Sequence, residues 1–461
     1  MIAVRPLPET PLDLTCDVLV IGAGACGLTA GLRAKEAGAD VIVLERDATP
    51  TGSTAMSSGF VPAPGTRFQK ALGIEDSPDL FARDIQKKAA NGADDDIVDI
   101  VTKQIGPALE WLADRHGLEW VVLDDFLYPG HSAHRMHAVP ERTGAALMGR
   151  LLNTAEAADL TVVTSAHAKT LLVDETRRIG GVVVERPDGT LETIGCKALV
   201  LACNGYGGNR ELVCKFIPKI AGALYYGHAG NQGDALLWGE KLGAAVKDLG
   251  AYQGHGSLAH PHGILITWAL MMEGAIQVNA IGRRFSNEHA GYSEQAEHVL
   301  EQPGGFAWNI YDAKLHEKGL EFPDYREAEK AGAIISANSV EELAQKCFVP
   351  VKALKATING LRSGKHKDTF GRDFSDWRPF EPPFHAVRVT GAVFHTQGGL
   401  LIDDTARVLD QQMHLLPNLY AAGGAACGVS GAKVEGYLSG NGLLTAIGLG
   451  YVAGRAAADA Q

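Results

Sequence analysis

The first strong pattern along the chain is an apolar run, DVLVI (17–21), with the length of one buried strand. It stops at GAGACG. The following LTAGLRAKEAG then places apolar residues at helical spacing up to Gly38. VIVLER (41–46) reads as a second buried strand, ending at Glu45. A strand, a glycine turn, a helix and a strand with a terminal acid thus follow one another within about 30 residues. Gly22, Gly24 and Gly27 stand at G-x-G-x-x-G spacing. Glycines there let the backbone approach a pyrophosphate, and the helix N-terminus offers it free N–H groups. Glu45 follows Gly22 by 23 residues, a spacing that suits a ribose hydroxyl. The pattern predicts a bound dinucleotide.

Residues 51–65, TGSTAMSSGFVPAPG, are small and polar and read as a loop. Residues 76–116 carry helical spacing, and 160–203 carry strand patterns with a turn at PDG. NGYGGN (204–209) places a second glycine-rich turn at a strand's C-terminal end, the edge where open α/β sheets bind ligands. Residues 251–385 differ, with more His, Trp and Met, irregular loops and a helical stretch near 339–363. From 386 strand patterns return, and the chain closes with a glycine turn and a long helix. The expected organisation is α/β. A discontinuous Rossmann-like domain occupies 15–250 and 386–461, and 251–385 is inserted as an α+β capping domain.

Composition narrows the function. Glycine, 55 of 461 residues, exceeds the usual ~7% without a collagen period. The net charge of −12 argues against nucleic acid or an anionic membrane as partner. Seven dispersed cysteines, with no C-x-x-C, fit a reducing cytosol. No signal peptide and no apolar run of membrane-spanning length are visible, so a cytoplasmic protein without a membrane span is expected. His131, His134 and His137 cluster, but no carboxylate or thiolate completes a zinc-like set, so no metal is expected.

Seven ordered motifs carry a resemblance. They are VIGAGACGLTAG, LERDATPTGSTAMSSG, ALVLACNGYGGNRE, GNQGDALLWGEKLGA, GAIQVNAIGRRFSNE, HTQGGLLID and LYAAGGAACGVSG…GYLSGNGLL. The chain resembles the fumarate reductase/succinate dehydrogenase flavoprotein family. The resemblance implies FAD and hydride transfer at the flavin. It implies cofactor contacts at Gly22, Gly24, Ala25 and Gly27 in the first motif. Glu45, Arg46, Ser53 and Thr54 follow in the second, with Ala168, Asn204, Gly205 and Asp234 further on. Gly423, Gly442 and Leu443 complete the set. No histidine precedes the TGST stretch, so the flavin is expected to be non-covalent. The family's Glu after Ala-Ala-Gly is Gly424 here, and no second glycine fingerprint marks an NAD(P)H site.

The departures redirect the substrate. Members that reduce fumarate carry arginines where this chain has Tyr292 after GRRFSNE and Tyr437 in YLSGN. Their Thr-Glu pair is Thr267–Trp268, and a following arginine is Met271. Dicarboxylates need cationic donors, which tyrosine and methionine cannot supply. The tyrosines resemble instead the 3-ketosteroid and cyclohexanone dehydrogenase branch. That resemblance implies Tyr292 as the base removing a proton α to a ketone. Tyr437 would donate to the ketone oxygen, helped by the N–H of Asn441. Tyr128 is the candidate phenol partner of Tyr292. His395 and His255 align with site histidines, and Trp268, Met271 and Met272 are expected to form an apolar wall. The expected reaction is desaturation of a small apolar cyclic ketone, a cyclohexanone or a 3-oxosteroid. Electrons would leave to a quinone, a carrier protein or oxygen. The rival readings are an enone or unsaturated-acid reductase, and a non-catalytic flavin-binding escort.

Overall fold

The computed structural model describes residues 2–125, 127–361 and 367–460. It divides into two units. The first holds 1–216, 227–252 and 395–461; the second holds 217–226 and 253–394.

The first unit is built on a nine-stranded sheet. Its strands are β1 (Ala3–Pro6), β2 (Leu14–Ile21), β3 (Val41–Leu44), β4 (Thr161–Val163), β5 (His167–Val173), β6 (Ile179–Glu185), β7 (Leu191–Leu201), β8 (Arg407–Leu409) and β9 (Leu415–Ala421). The main order is β1-β5-β6-β7-β2-β3-β4, and β9 pairs with both β7 and β8. β2, β3 and β4 run parallel, and β7 is parallel to β2 and to β9. β2 and β3 are buried on both faces, which is why their sequences are apolar runs and not alternations. The first helix, α1 (Ala25–Glu36), starts at the glycine turn, and Gly38 takes φ +96° just beyond its end.

Long helices complete this unit: α2 (Asp95–His116), α3 (Asp234–Leu242) and α4 (Asn441–Asp459). α4 lies close against α1. A Cβ on Gly450 would fall 2.6 Å from the Cys26 carbonyl, and one on Gly454 2.2 Å from that of Ala30. The stretch 51–65 is more ordered than its composition suggests. It holds a short helix, Gly52–Met56, and a two-residue strand, Val61–Pro62, paired with Met136–Ala138. Both elements are too short for a periodicity to show.

The second unit has its own seven-stranded sheet around the long strand Phe384–Thr396. Tyr252–Ala259, Ala307–Asp312, Ile334–Ala337 and Leu224–Tyr225 all pair with that strand. Its core gathers Trp268, Met271, Trp308, Tyr311 and Tyr325 with aliphatic neighbours. No helix among the described residues is long and apolar enough to cross a membrane. No group of three metal-ligating side chains occurs among them either.

Candidate active site

The glycine turn after β2 is fixed by sterics. Gly22 has φ +106°, and a Cβ on it would sit 2.5 Å from the Ala202 carbonyl oxygen. A Cβ on Gly27 would lie 1.8 Å from the Gly22 carbonyl oxygen. Gly24 is less constrained: its nearest neighbour would be Thr54 Oγ1 at 3.4 Å. That hydroxyl accepts the Ala25 N–H at 3.0 Å. Glu45 is held by two backbone amides, Ala23 N–H at 3.1 Å and Asp47 N–H at 3.0 Å. Ser53 Oγ accepts from Asn204 Nδ2 at 3.0 Å and from Asn231 Nδ2 at 2.9 Å. Arg46 donates to the Gly230 carbonyl at 2.8 Å.

These bonds tie the β2 turn, the end of β3, the 52–56 helix, the turn after β7 and the 228–231 loop together. Asn231 and His228 were not anticipated, although GNQGDALLWGEKLGA contains the former. Their role depends on partners distant in sequence, and spacing does not reveal that. Asp234 opens α3 and faces His167 Nε2 at 3.7 Å, while Ala168 is buried on β5. A Cβ on Gly205 would lie 2.0 Å from Thr396 Oγ1. Gly423 has φ +59°, with Cys26 Sγ 3.2 Å from its would-be Cβ. At Gly424 the geometry explains the missing glutamate, since Asn204 Oδ1 would be 2.2 Å from a Cβ.

The turn before α4 carries Tyr437, which is buried and stands edge-on to His395 with ring centres 5.7 Å apart. Gly440 takes φ +88°, where a Cβ would meet Pro62 Cδ at 2.6 Å. One expectation is corrected here. The N–H of Asn441 donates to the Leu438 carbonyl at 3.1 Å, because the turn closes directly into α4. The amides of Gly442 and Leu443 follow in the first helical turn, where no carbonyl of the helix can accept from them. The Asn441 side chain donates through Nδ2 to Ser430 Oγ at 3.0 Å. Its Oδ1 is buried and has no partner among the described residues. His395 lies over Gly442, whose Cβ would be 2.8 Å from Cε1 and Nε2. Burial pushes the pKa of His395 down to about 4, so the ring is neutral at neutral pH. Tyr128 packs edge-on against Phe60, with ring centres 6.2 Å apart.

The second unit gathers an aromatic group. His255, on the strand Tyr252–Ala259, stacks on Tyr292 at 5.0 Å and on Phe394 at 5.5 Å. Trp268 stands perpendicular to His255 at 5.6 Å. Phe394 also meets Tyr226 at 5.0 Å. His255 Nδ1 accepts the Ser257 N–H at 3.1 Å, so the neutral ring carries its proton on Nε2. Burial pushes its pKa down to about 3. The arginines of this unit's network are engaged internally. Arg284 and Arg372 both pair with Glu288, and Arg372 also donates to the carbonyls of Ala275 and Met271. Met271 itself is fully buried and belongs to the core of the unit rather than to an apolar wall. Trp268 is 6% exposed and Met272 is partly buried against the same core.

Comparison with known proteins agrees with this cradle. The family described as FAD binding domain matches residues 17–443. The probable fumarate reductase Ifc3 of Shewanella frigidimarina is 31% identical over 96% of this chain and 75% of its own length. The 3-ketosteroid-Δ4-(5α)-dehydrogenase of Rhodococcus jostii RHA1, solved in complex with 4-androstene-3,17-dione, superposes with a TM-score of 0.78. It is 26% identical and covers 99% of this chain and all of its own. A 4-oxocyclohexanecarboxylate 2-dehydrogenase of Sinomonas cyclohexanicum is 24% identical over 96% of this chain and 92% of its own length. The chain belongs to the FAD-binding flavoprotein family, and its cofactor is FAD. Its residues fit that group. The glycine turn leaves backbone open at Gly24, Glu45 is held by two backbone amides and would take a ribose hydroxyl, and α4 begins with amides that no helix carbonyl can accept from. The orphaned Asn441 Oδ1 lacks a donor, a loss of about 1–3 kcal/mol unless a ligand supplies one.

Proposed function

We propose that the protein desaturates a cyclic ketone next to its carbonyl. The observation that carries this reading is the aromatic group of His255, Trp268, Tyr292 and Phe394. Within it Tyr292 stands where the fumarate-reducing pattern has an arginine and Trp268 where it has a glutamate, and the unit's Arg284 and Arg372 are committed to Glu288. Such a surface suits an apolar ring and not a dicarboxylate. Tyr292 removes the α proton; a positioned base contributes roughly 10²–10⁴ in rate. The Tyr437 hydroxyl donates to the carbonyl oxygen as it gains enolate character; one such donor is worth about 10²–10³. FAD, when bound, supplies the acceptor for the hydride leaving the β carbon. The product is the α,β-enone, and the electrons pass on to a quinone, a carrier protein or oxygen.

The test is anaerobic mixing of the FAD-loaded protein with cyclohexanone-type ketones and with 3-oxosteroids. Bleaching of the flavin's visible band by one class supports the reading and names the substrate. A second reading, reduction of an enone or unsaturated acid, is favoured by the 31% identity to a probable fumarate reductase. Chemically reduced protein that is reoxidised by an enone, while no ketone bleaches the oxidised form, would establish the reductase instead.

A further inference from the structure

We propose that Gln397 sets the tautomer of His395, so that this imidazole stands as a neutral Nε2–H donor beside Tyr437. A directed hydrogen-bond chain carries the argument. Asn441 Nδ2 can only donate, and it gives its hydrogen to Ser430 Oγ at 3.0 Å. Ser430 is buried, and its hydroxyl donates to Gln397 Oε1 at 2.8 Å. The oxygen end of Gln397 is thereby filled. Its Nε2 faces His395 Nδ1 at 3.1 Å. An amide nitrogen offers no lone pair, so His395 Nδ1 accepts and the ring proton sits on Nε2.

A second group pulls the other way. The Thr396 carbonyl oxygen lies 3.3 Å from the same Nδ1 and favours a proton there. Gln397 is the closer partner and overrides it. Removing the Gln397 amide leaves the carbonyl in control and moves the proton to Nδ1. The Nε2 atom is the one that lies over the first turn of α4, 2.8 Å from the position of a Cβ on Gly442. Tyr437 is edge-on to the same ring. His395 thus offers a second N–H donor for a carbonyl oxygen, and Gln397 acts through it as a positioning residue. The tautomer follows from the bond chain alone, whereas its use as a carbonyl donor rests on the ketone reading above.

The experiment uses FAD-loaded protein with ¹⁵N-labelled histidine, and long-range ¹H–¹⁵N spectra that report which ring nitrogen carries hydrogen. The His395 signals are assigned by their loss in His395→Gln. The wild type is expected to show Nε2–H, and both Gln397→Leu and Gln397→Glu to show Nδ1–H. Leucine leaves Thr396 as sole partner; a carboxylate can only accept. Ketone-dependent flavin reduction is expected to slow by about 10² in both variants at unchanged FAD content. A wild-type Nδ1–H pattern, or an Nε2–H pattern retained in both variants, would overturn the lock. A switched tautomer with unchanged reduction rate would overturn the donor role. If no ketone reduces the wild type, the ketone reading fails, and the spectra still decide the lock.

Discussion

Two glycines on one helix provide a strict test of how the FAD turn is built. Gly27 and Gly31 both lie on α1, one turn apart, and both are buried. In each, alanine would gain about 1 kcal/mol of helix propensity. Their surroundings differ. A Cβ on Gly27 would lie 1.8 Å from the Gly22 carbonyl oxygen and 3.0 Å from its carbon, which are backbone atoms of the turn itself. A Cβ on Gly31 would meet Val43 Cγ2 at 2.8 Å and Leu160 Cδ2 at 3.0 Å, which are methyl groups that can turn aside. Gly27→Ala must therefore move either α1 or the Gly22 peptide by more than an ångström, because contacts under 3.0 Å do not persist. Overpacking of this kind costs about 1–3 kcal/mol or more. Here it also displaces the amides that face the cofactor. Gly31→Ala should cost little, its clash being offset by propensity. The assay is the FAD-to-protein ratio after purification, with thermal melting of the same samples. Gly27→Ala should emerge depleted of FAD and less stable, and Gly31→Ala should remain close to the wild type. Full FAD occupancy in Gly27→Ala, or equal damage from both substitutions, would refute the steric account.

Other outcomes follow from the same structure. Tyr437→Phe keeps the edge-on packing with His395 and removes one hydroxyl, so ketone-dependent flavin reduction should fall about 10²–10³-fold at unchanged FAD content. Asp84→Ala breaks the buried pair with Arg135 and should cost about 3 kcal/mol, measured by urea unfolding; the exposed Arg67–Asp114 pair should be removable without measurable change. His131, His137 and His255 are buried, with pKa values lowered by burial to about 4, about 4 and about 3. The unfolded chain binds protons at these groups from about pH 6.5 downward while the folded chain does not, so stability falls with pH there. Each contributes up to about 1.4 kcal/mol per pH unit, and melting temperatures that stay level from pH 7.5 to 5 would contradict the buried, neutral state.

What could be read from the sequence was governed by how local each constraint is. The β2 turn was legible because its three glycines lie within six residues at a fixed spacing and Gly27 answers to the Gly22 carbonyl, while the apolar runs mark strands buried on both faces; that Gly22 also answers to the distant Ala202 carbonyl was not legible. The aromatic group was not legible in that way. His255, Trp268, Tyr292 and Phe394 have no common spacing; strand pairing brings His255 and Phe394 together, and Trp268 and Tyr292 reach them from non-strand segments. Tyr292 and His255 were found only through resemblance, and Phe394 not at all. Asn441 was found for the wrong atom: the expected backbone N–H is used by Leu438, while the side chain enters the chain to Ser430 and Gln397. Ala3–Pro6 was missed as a strand because four residues ending in proline carry no periodicity, and pairing with β5 is what makes them one.

The order of strands in the first sheet bears on how the chain is made. β7 is complete by residue 201, yet its parallel neighbour β9 spans Leu415–Ala421. The face of α1 that receives Gly450 and Gly454 likewise waits for α4, the last helix. A nascent chain leaving the ribosome N-terminus first must therefore hold an open sheet edge and an apolar helix face while some two hundred further residues are synthesised. The second unit, whose strands lie between 224 and 396, has its sheet partners in hand earlier. Folding during synthesis would then finish the inserted unit before the one that encloses it. In the interval, the stretch Leu199–Leu201 of β7, which waits for β9, is an open edge at which the nascent chain is exposed to aggregation.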